Sequence, residues 1–590
     1  MQSIGQYAVT GLETQLDELS CLLKTIYKDH SAEEFDYMWS QLLQILEANI
    51  DIRLEVSEKK TSRWDASTAV LITYADGVVS QNNPSLALLE EILDKYLGGF
   101  ASIIHLLPFL CSTSDGGFAV SSYEKIEKRF GSWEDLRNLS LKHIIMADLV
   151  LNHVSASHLW VQQFKTLKEP GRRYILAPLS EHDWGNVVRA RNTSLFTSIS
   201  TDNGQKKVWT TFGPDQIDIN WREPQVLIEF LILIARYFKH GIRWLRLDAI
   251  GFIWKEPSTT CLHMKEVHLL VRSLRIIIQI LKESSVLITE TNVPEKENLS
   301  YLQSGDEAHL AYNFPLPPLL LESLISNKAD LINYWLSSWP DLPKDTGFLN
   351  FTASHDGVGL RALEGIMDQN RLHNLLIACE KRGGLISHRR MPNGEDIPYE
   401  LNISWWSAMA DTGINATYLQ FERFLLSQLF VMALKGVPAF YLQAVLASEN
   451  DVNSFVKSGE RRDLNRERFN FESLDNVLKD SQSPASKNIK ALKHAMNVRS
   501  RLEAFHPEQP MMCMSNGRSD FVLICRGKDQ SRVWALHNMT NKKLSFPFDE
   551  LLKADKGSNC YFFDALNEVK CLDNYIESRP YAVHWLVQKK

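Results

Sequence analysis

The stretch "GIRWLRLDAIGFIWKE", residues 241–256, reads as a buried β-strand interrupted by charge. Ile242, Trp244, Leu245 and Leu247 belong in a core, yet Arg246 and Asp248 sit among them. Side chains alternate along a strand, so Arg246 and Asp248 share one face while Leu245 and Leu247 share the other. Burying a charge is costly unless it is paired. Two readings remain: a structural ion pair, or a charged face that lines an active site.

The neighbouring sequence has the same texture. Short apolar runs at 69–74 ("AVLITY"), 101–109, 143–153 ("HIIMADLVLNH"), 285–292 ("SVLITETN") and 347–356 ("GFLNFTASHD") alternate with helical stretches. Strand and helix in alternation imply a largely parallel sheet under covering helices. Several runs end in polar residues: Asp148, Asn152 and His153; Glu290; His355 and Asp356. In a closed eight-stranded βα-barrel the carboxyl ends of all strands meet at one face, where active sites sit. An ion pair explains Arg246 and Asp248 alone. It does not explain why the pattern recurs on other strands.

A barrel of that kind, α/β with (β/α)8 architecture over 64–157 and 223–495, would bring these ends together. A long aromatic and polar stretch at 158–222, poor in helical periodicity, is expected as an inserted subdomain. Residues 1–63 carry apolar residues at helical spacing and read as an added helical arm closed by "SEKKTSR". This arm is expected either to cover its own barrel or to mediate a homodimer. Short β segments such as "DFVLICRG" and "RVWALHNM" make 496–590 a small all-β domain.

Composition narrows the classes. Of 590 residues, 44% are hydrophobic and 23% charged, ordinary for a globular chain. A net charge of −7 without a long basic run argues against a nucleic-acid partner. No apolar run reaches the roughly 18 residues of a membrane helix, and the first residues lack the pattern of a secretory signal. Eight cysteines without CxxC spacing read as reduced thiols of a cytoplasmic protein.

Three carboxylates delivered to one barrel face suggest glycosyl transfer. Retaining enzymes of that kind use one carboxylate as nucleophile and one carboxylic acid to protonate the leaving oxygen, about 5 Å apart. An adjacent arginine keeps the nucleophile ionised, and Arg246 is placed to do so.

The motifs "DLVLNH" (148–153), "WLRLDAIGFIWKE" (244–256), "ITETNVP" (288–294) and "FTASHDGVG" (351–359) resemble the four signature regions of glycoside hydrolase family 13, the α-amylase clan. Their flanks resemble the sucrose phosphorylase subfamily, with its glucosylglycerate and sucrose 6′-phosphate phosphorylase branches. The resemblance spans roughly residues 64–590. It implies Asp248 as nucleophile, Glu290 as general acid/base and Asp356 as transition-state stabiliser, with Arg246 orienting Asp248. It further implies that His153 and His355 bond glucosyl hydroxyls. "STSDGGF" (112–118) resembles the donor-site loop, which gives Asp115 and Phe118. "VWTTFGPDQIDIN" (208–220) gives Phe212 and Gln216, and "RRDLNRERF" (461–469) gives Arg466 closing on the glucose. Phe118 and Phe212 also read as ordinary core, and Arg466 as one member of a solvated basic run.

"VVRARNTSLF" (187–196) resembles the segment whose arginine attracts phosphate or an anionic acceptor; Arg191 is favoured over Arg189. Arg389 and Arg390 either meet an anionic acceptor or form a solvated turn. Trp405 and Trp406 depart from the tyrosine-containing form of the relatives. The resemblance implies no cofactor, with inorganic phosphate as co-substrate, and no metal, although amylase relatives hold calcium near the asparagine of "DLVLNH". The expected reaction is phosphorolysis of an α-glucoside, sucrose first, with glucosylglycerate, glucosylglycerol or sucrose 6′-phosphate as alternatives. A plain α-glucosidase and a non-catalytic barrel are the competing classes.

Overall fold

The computed structural model describes residues 12–49, 51–52, 63–178, 183–391, 394–411, 419–515, 517–552, 561–571 and 573–589. Eight parallel strands close into a barrel: β1 (Val70–Thr73), β2 (Ile103–Leu106), β3 (Ile144–Val150), β4 (Ile242–Asp248), β5 (Val286–Thr289), β6 (Leu310–Tyr312), β7 (Gly347–Phe351) and β8 (Val437–Tyr441). They pair in chain order, and β8 returns to β1. Six of them are the six runs picked out by the sequence. The other two were hidden. β6 runs straight into the apolar helix Leu316–Ser326, and β8 follows the buried helix Gln420–Ala433 and contains Pro438. A short apolar run beside a buried helix carries no period of its own, and proline argues against a central strand.

The strand interiors are almost wholly buried, as a parallel sheet covered by helices requires. Register sets the polar ends. Asp148 lies opposite Arg246 and Val150 opposite Asp248, while Thr289, one residue before Glu290, lies opposite Leu247.

Between β3 and β4 the chain forms the helices Leu159–Lys165 and Gly171–Tyr174, a hairpin of Phe196–Thr201 with Gly204–Trp209, and a short strand Gln216–Asp218. That strand pairs antiparallel with His153–Ser155, which ties this stretch to the end of β3. The helices belong to a stretch in which the sequence shows little helical periodicity; both are too short to display one.

In the arm, helix Glu13–Ile26 packs on the barrel helix Lys265–Leu281, and Ala32–Ala48 on Pro224–Lys239. Leu19, Leu23, Met38 and Leu42 are buried there. "SEKKTSR" lies almost entirely outside the described residues. At the other end, helix Pro484–Ser500 runs across the expected 495/496 boundary. Its Arg499 is buried and donates to the carbonyls of Met432 and Phe505, so this helix packs with the barrel. Beyond it, a six-stranded antiparallel sheet runs from Met511 to Lys589. Among the described residues no helix is long and apolar enough to cross a membrane.

Candidate active site

At the carboxyl ends of the barrel strands lies an open hollow of about 560 Å³, counting the space at its mouth. Asp248, Glu290 and Asp356 all line it, joined by Asp115, Phe118, His153, Phe212, Gln216, His355 and Arg191. The charged face of β4 thus resolves the question its sequence poses. Arg246 is buried and pairs with Asp148 behind it; its Nη1 also donates to Asp248 Oδ1 at 2.8 Å, and its Nη2 lies 3.6 Å from Glu290 Oε2. One guanidinium serves both as structural partner of Asp148 and as support for two carboxylates that line the hollow.

Burial raises Asp248 well above the usual carboxylate range, against the pull of Arg246, and it also raises Glu290. Two acids so close titrate as a pair. The larger rise at Asp248 taken alone would put the shared proton there. The hydrogen bond from Arg246 is shorter and direct at Asp248, and a bond to the charged form favours ionisation. We therefore place the proton on Glu290. The backbone opposes the rise at Glu290 in part: Ala249 stands at φ 49°, and its N–H donates to Glu290 Oε2 at 3.1 Å, which favours the ionised form.

Asp356 differs. Despite burial, Arg462, Arg246, Arg466 and Arg191 hold its carboxyl below the ordinary value. Both histidines are kept neutral by burial, His355 well below its usual range. The Phe118 ring stacks on His355 at 5.0 Å, and His153 contacts Phe212 at 5.4 Å. The two phenylalanines form walls of the hollow, and His153 and Gln216 are fixed by the two-stranded pairing described above.

Asp115 sits in a turn with three successive positive φ values. A Cβ on Gly117 would lie 2.6 Å from Pro108 O, so this turn needs its glycines. Gln216 Nε2 donates to Asp115 Oδ2 at 3.1 Å.

Arg466 requires a correction. It does not line the hollow but lies behind it, donating from Nε to His355 O at 2.8 Å, with Nη1 3.7 Å from Asp115. The arginine of this segment that lines the hollow is Arg462, whose Nη1 pairs with Asp356 Oδ1 at 2.5 Å. Its Nε and Nη2 grip Glu400 at 3.0 and 2.7 Å. Arg462 and Glu400 were not singled out from the sequence. Four arginines crowd "RRDLNRERF", and only the turn Arg461–Asn465 decides which one faces inward.

A second hollow of about 410 Å³ adjoins the first across Glu290, Asn292, Phe212 and Tyr399, and reaches His263 and Arg361. Arg389 is buried and paired with Glu364 at 2.7 Å, whereas Arg390 is an exposed hairpin residue paired with Asp396. Arg189 is occupied by the carbonyl of Thr193. Trp405 and Trp406 are buried and line neither hollow, Trp405 donating to Ser427 Oγ at 2.9 Å.

The residues at the calcium position of the amylase relatives do not fit a divalent cation. Lys255 Nζ donates to Asn152 Oδ1 at 2.7 Å and pairs with Asp218 at 2.5 Å, so an ammonium of the chain already engages those oxygens. The described residues include no cluster of three or more His, Cys, Asp or Glu suited to a metal.

Residues 94–373 match the family model for the alpha amylase catalytic domain. The chain is 35% identical over 488 residues to a glucosylglycerate phosphorylase of Allomeiothermus silvanus, covering 82% of this chain and 87% of that protein. It is 25% identical over 482 residues to a sucrose phosphorylase of Streptococcus mutans, covering 79% and 94%. Among solved structures, the sucrose 6F-phosphate phosphorylase of Thermoanaerobacter thermosaccharolyticum superposes with a TM-score of 0.69 at 22% identity, covering 80% of this chain and 94% of that one.

Proposed function

Because the chain belongs to the α-amylase family, among its glycoside phosphorylases, we propose that it moves glucose from glucosylglycerate to inorganic phosphate with retention, and runs the reverse synthesis from α-glucose 1-phosphate. The observation that carries the double displacement is Arg246 touching Asp248 and Glu290 at once, with Asp356 on the same hollow.

Asp248 attacks the anomeric carbon while Glu290 gives its proton to the departing oxygen, leaving a β-glucosyl ester on Asp248. Phosphate then attacks from the opposite face, the ester bond breaks, and Glu290 takes back a proton from the incoming phosphate. Asp356, held ionised by four arginines, bonds sugar hydroxyls and steadies the positive charge that develops at the anomeric carbon. His153, His355, Asp115 and Gln216 bind the glucosyl ring between Phe118 and Phe212. Arg191, beside Asp356 and Glu400, draws phosphate in. Phosphate is already anionic, so it needs attraction more than a base.

Sucrose becomes the second reading. The relative named for glucosylglycerate is 35% identical and the one named for sucrose 25%. The second hollow beyond Glu290 also offers an arginine, which suits an anionic acceptor better than fructose. A cytoplasmic setting belongs to the same proposal and rests on cysteines without disulfide-like spacing.

The test is an acceptor screen with α-glucose 1-phosphate, reading phosphate release with glycerate, fructose, glycerol and fructose 6-phosphate. Glycerate is expected to be fastest. Fructose outrunning it would restore the sucrose reading, and glucoside cleavage at full rate without phosphate would make the enzyme a hydrolase.

A further inference from the structure

Arg361 opens the short turn Arg361–Leu363, beyond β7 and the strand Val358–Gly359. Its side chain is only 10% exposed, yet its Nε has no hydrogen-bond partner. Among the described residues its ion pair is with Glu297 at 3.9 Å, too long for a hydrogen bond. Arg389, the arginine near it, is taken up by Glu364. A guanidinium stays charged in any protein setting, and a buried charge without close partners is destabilising. Such a group is held for something that arrives.

The surroundings say what arrives. Arg361 lines the second hollow together with Asn292, Tyr399 and Glu290. Asn292 Oδ1 is likewise buried without a partner, and Gly359 lets its backbone come close: a Cβ there would lie 2.6 Å from Asn292 Nδ2. Glu290 borders both hollows, with the Asp248 side on one hand and Arg361 on the other. The group that leaves on the proton of Glu290 therefore emerges towards Arg361. Phosphate must touch the anomeric carbon itself, in the hollow of Asp248 and Arg191, which Arg361 does not line.

We infer that Arg361 receives the carboxylate of the acceptor, as a specificity-determining residue of the outer hollow. The inference rests on the glucosylglycerate reading and deepens it. A planar guanidinium matches a carboxylate with two parallel hydrogen bonds, which neither glycerol nor fructose can return.

The test compares the full-length enzyme with Arg361→Met and Arg361→Lys. Synthesis from α-glucose 1-phosphate is followed with glycerate and, separately, with glycerol, and the KM for phosphate is measured in phosphorolysis. For Arg361→Met the KM for glycerate is expected to rise roughly 10- to 100-fold more than that for glycerol, the worth of a charge-assisted hydrogen bond, with kcat falling less. Arg361→Lys keeps the charge and is expected to recover part of the preference; it also carries the test if the methionine variant fails to fold. Equal changes for both acceptors, or a change confined to the KM for phosphate, would overturn the inference. A wild-type enzyme that ignores glycerate would remove the parent reading instead.

Discussion

Arg246 and Glu290 show how much of the chemistry rests on single side chains. Arg246 has three carboxylates within reach, and its partner Asp148 is itself bonded to His105 at 2.9 Å. The acid role of Glu290 makes a prediction with a definite sign. Burial raises its carboxyl, Arg246 opposes, and the charge of Asp356 raises it further. The first step needs the protonated form, so kcat/KM for phosphorolysis falls as pH rises through that value. The fall should lie above the usual glutamate value of about 4.3. Glu290→Gln is expected to abolish that alkaline limb along with most of the activity, in a pH profile taken on both proteins; a limb that persists would assign the proton elsewhere. The carboxylates were legible because they sit at the ends of recognisable strands. Arg462 and Arg361 were not, because each stands in a loop whose turn, not its spacing, decides where the guanidinium points.

At the scale of elements, the barrel was readable wherever a strand had its own boundaries. β3, β4 and β5 announce themselves as apolar runs ending in charge, while β6 and β8 merge with apolar helices on one side. The insertion's contribution was legible as residues but not as geometry: pairing of His153–Ser155 with Gln216–Asp218 brings His153 and Gln216 together across 63 positions. The arm was legible as amphipathic helices, and its partner was the open matter. Its Met38 and Leu42 are buried against the barrel helices. Met38→Ala and Leu42→Ala are each expected to cost about 2–5 kcal/mol in denaturant unfolding, while leaving the KM for glucoside unmoved. Full stability in both variants would mean that the arm does not support the barrel.

For the whole molecule, strand ends, an insertion and late loops contribute to one hollow from positions as far apart as Asp115 and Arg462. No single segment contains the site; closure of the barrel assembles it, and that is why the strand ends could be read together before their contacts were known. Double displacement requires Asp248 to become covalently glucosylated. The most direct measurement is peptide mass spectrometry of the Glu290→Gln enzyme after exposure to α-glucosyl fluoride, a donor whose leaving group needs no proton. One glucosyl group is expected on the peptide that contains Asp248. A glucosyl group on another residue, or fluoride release with no covalent adduct at any time, would contradict it.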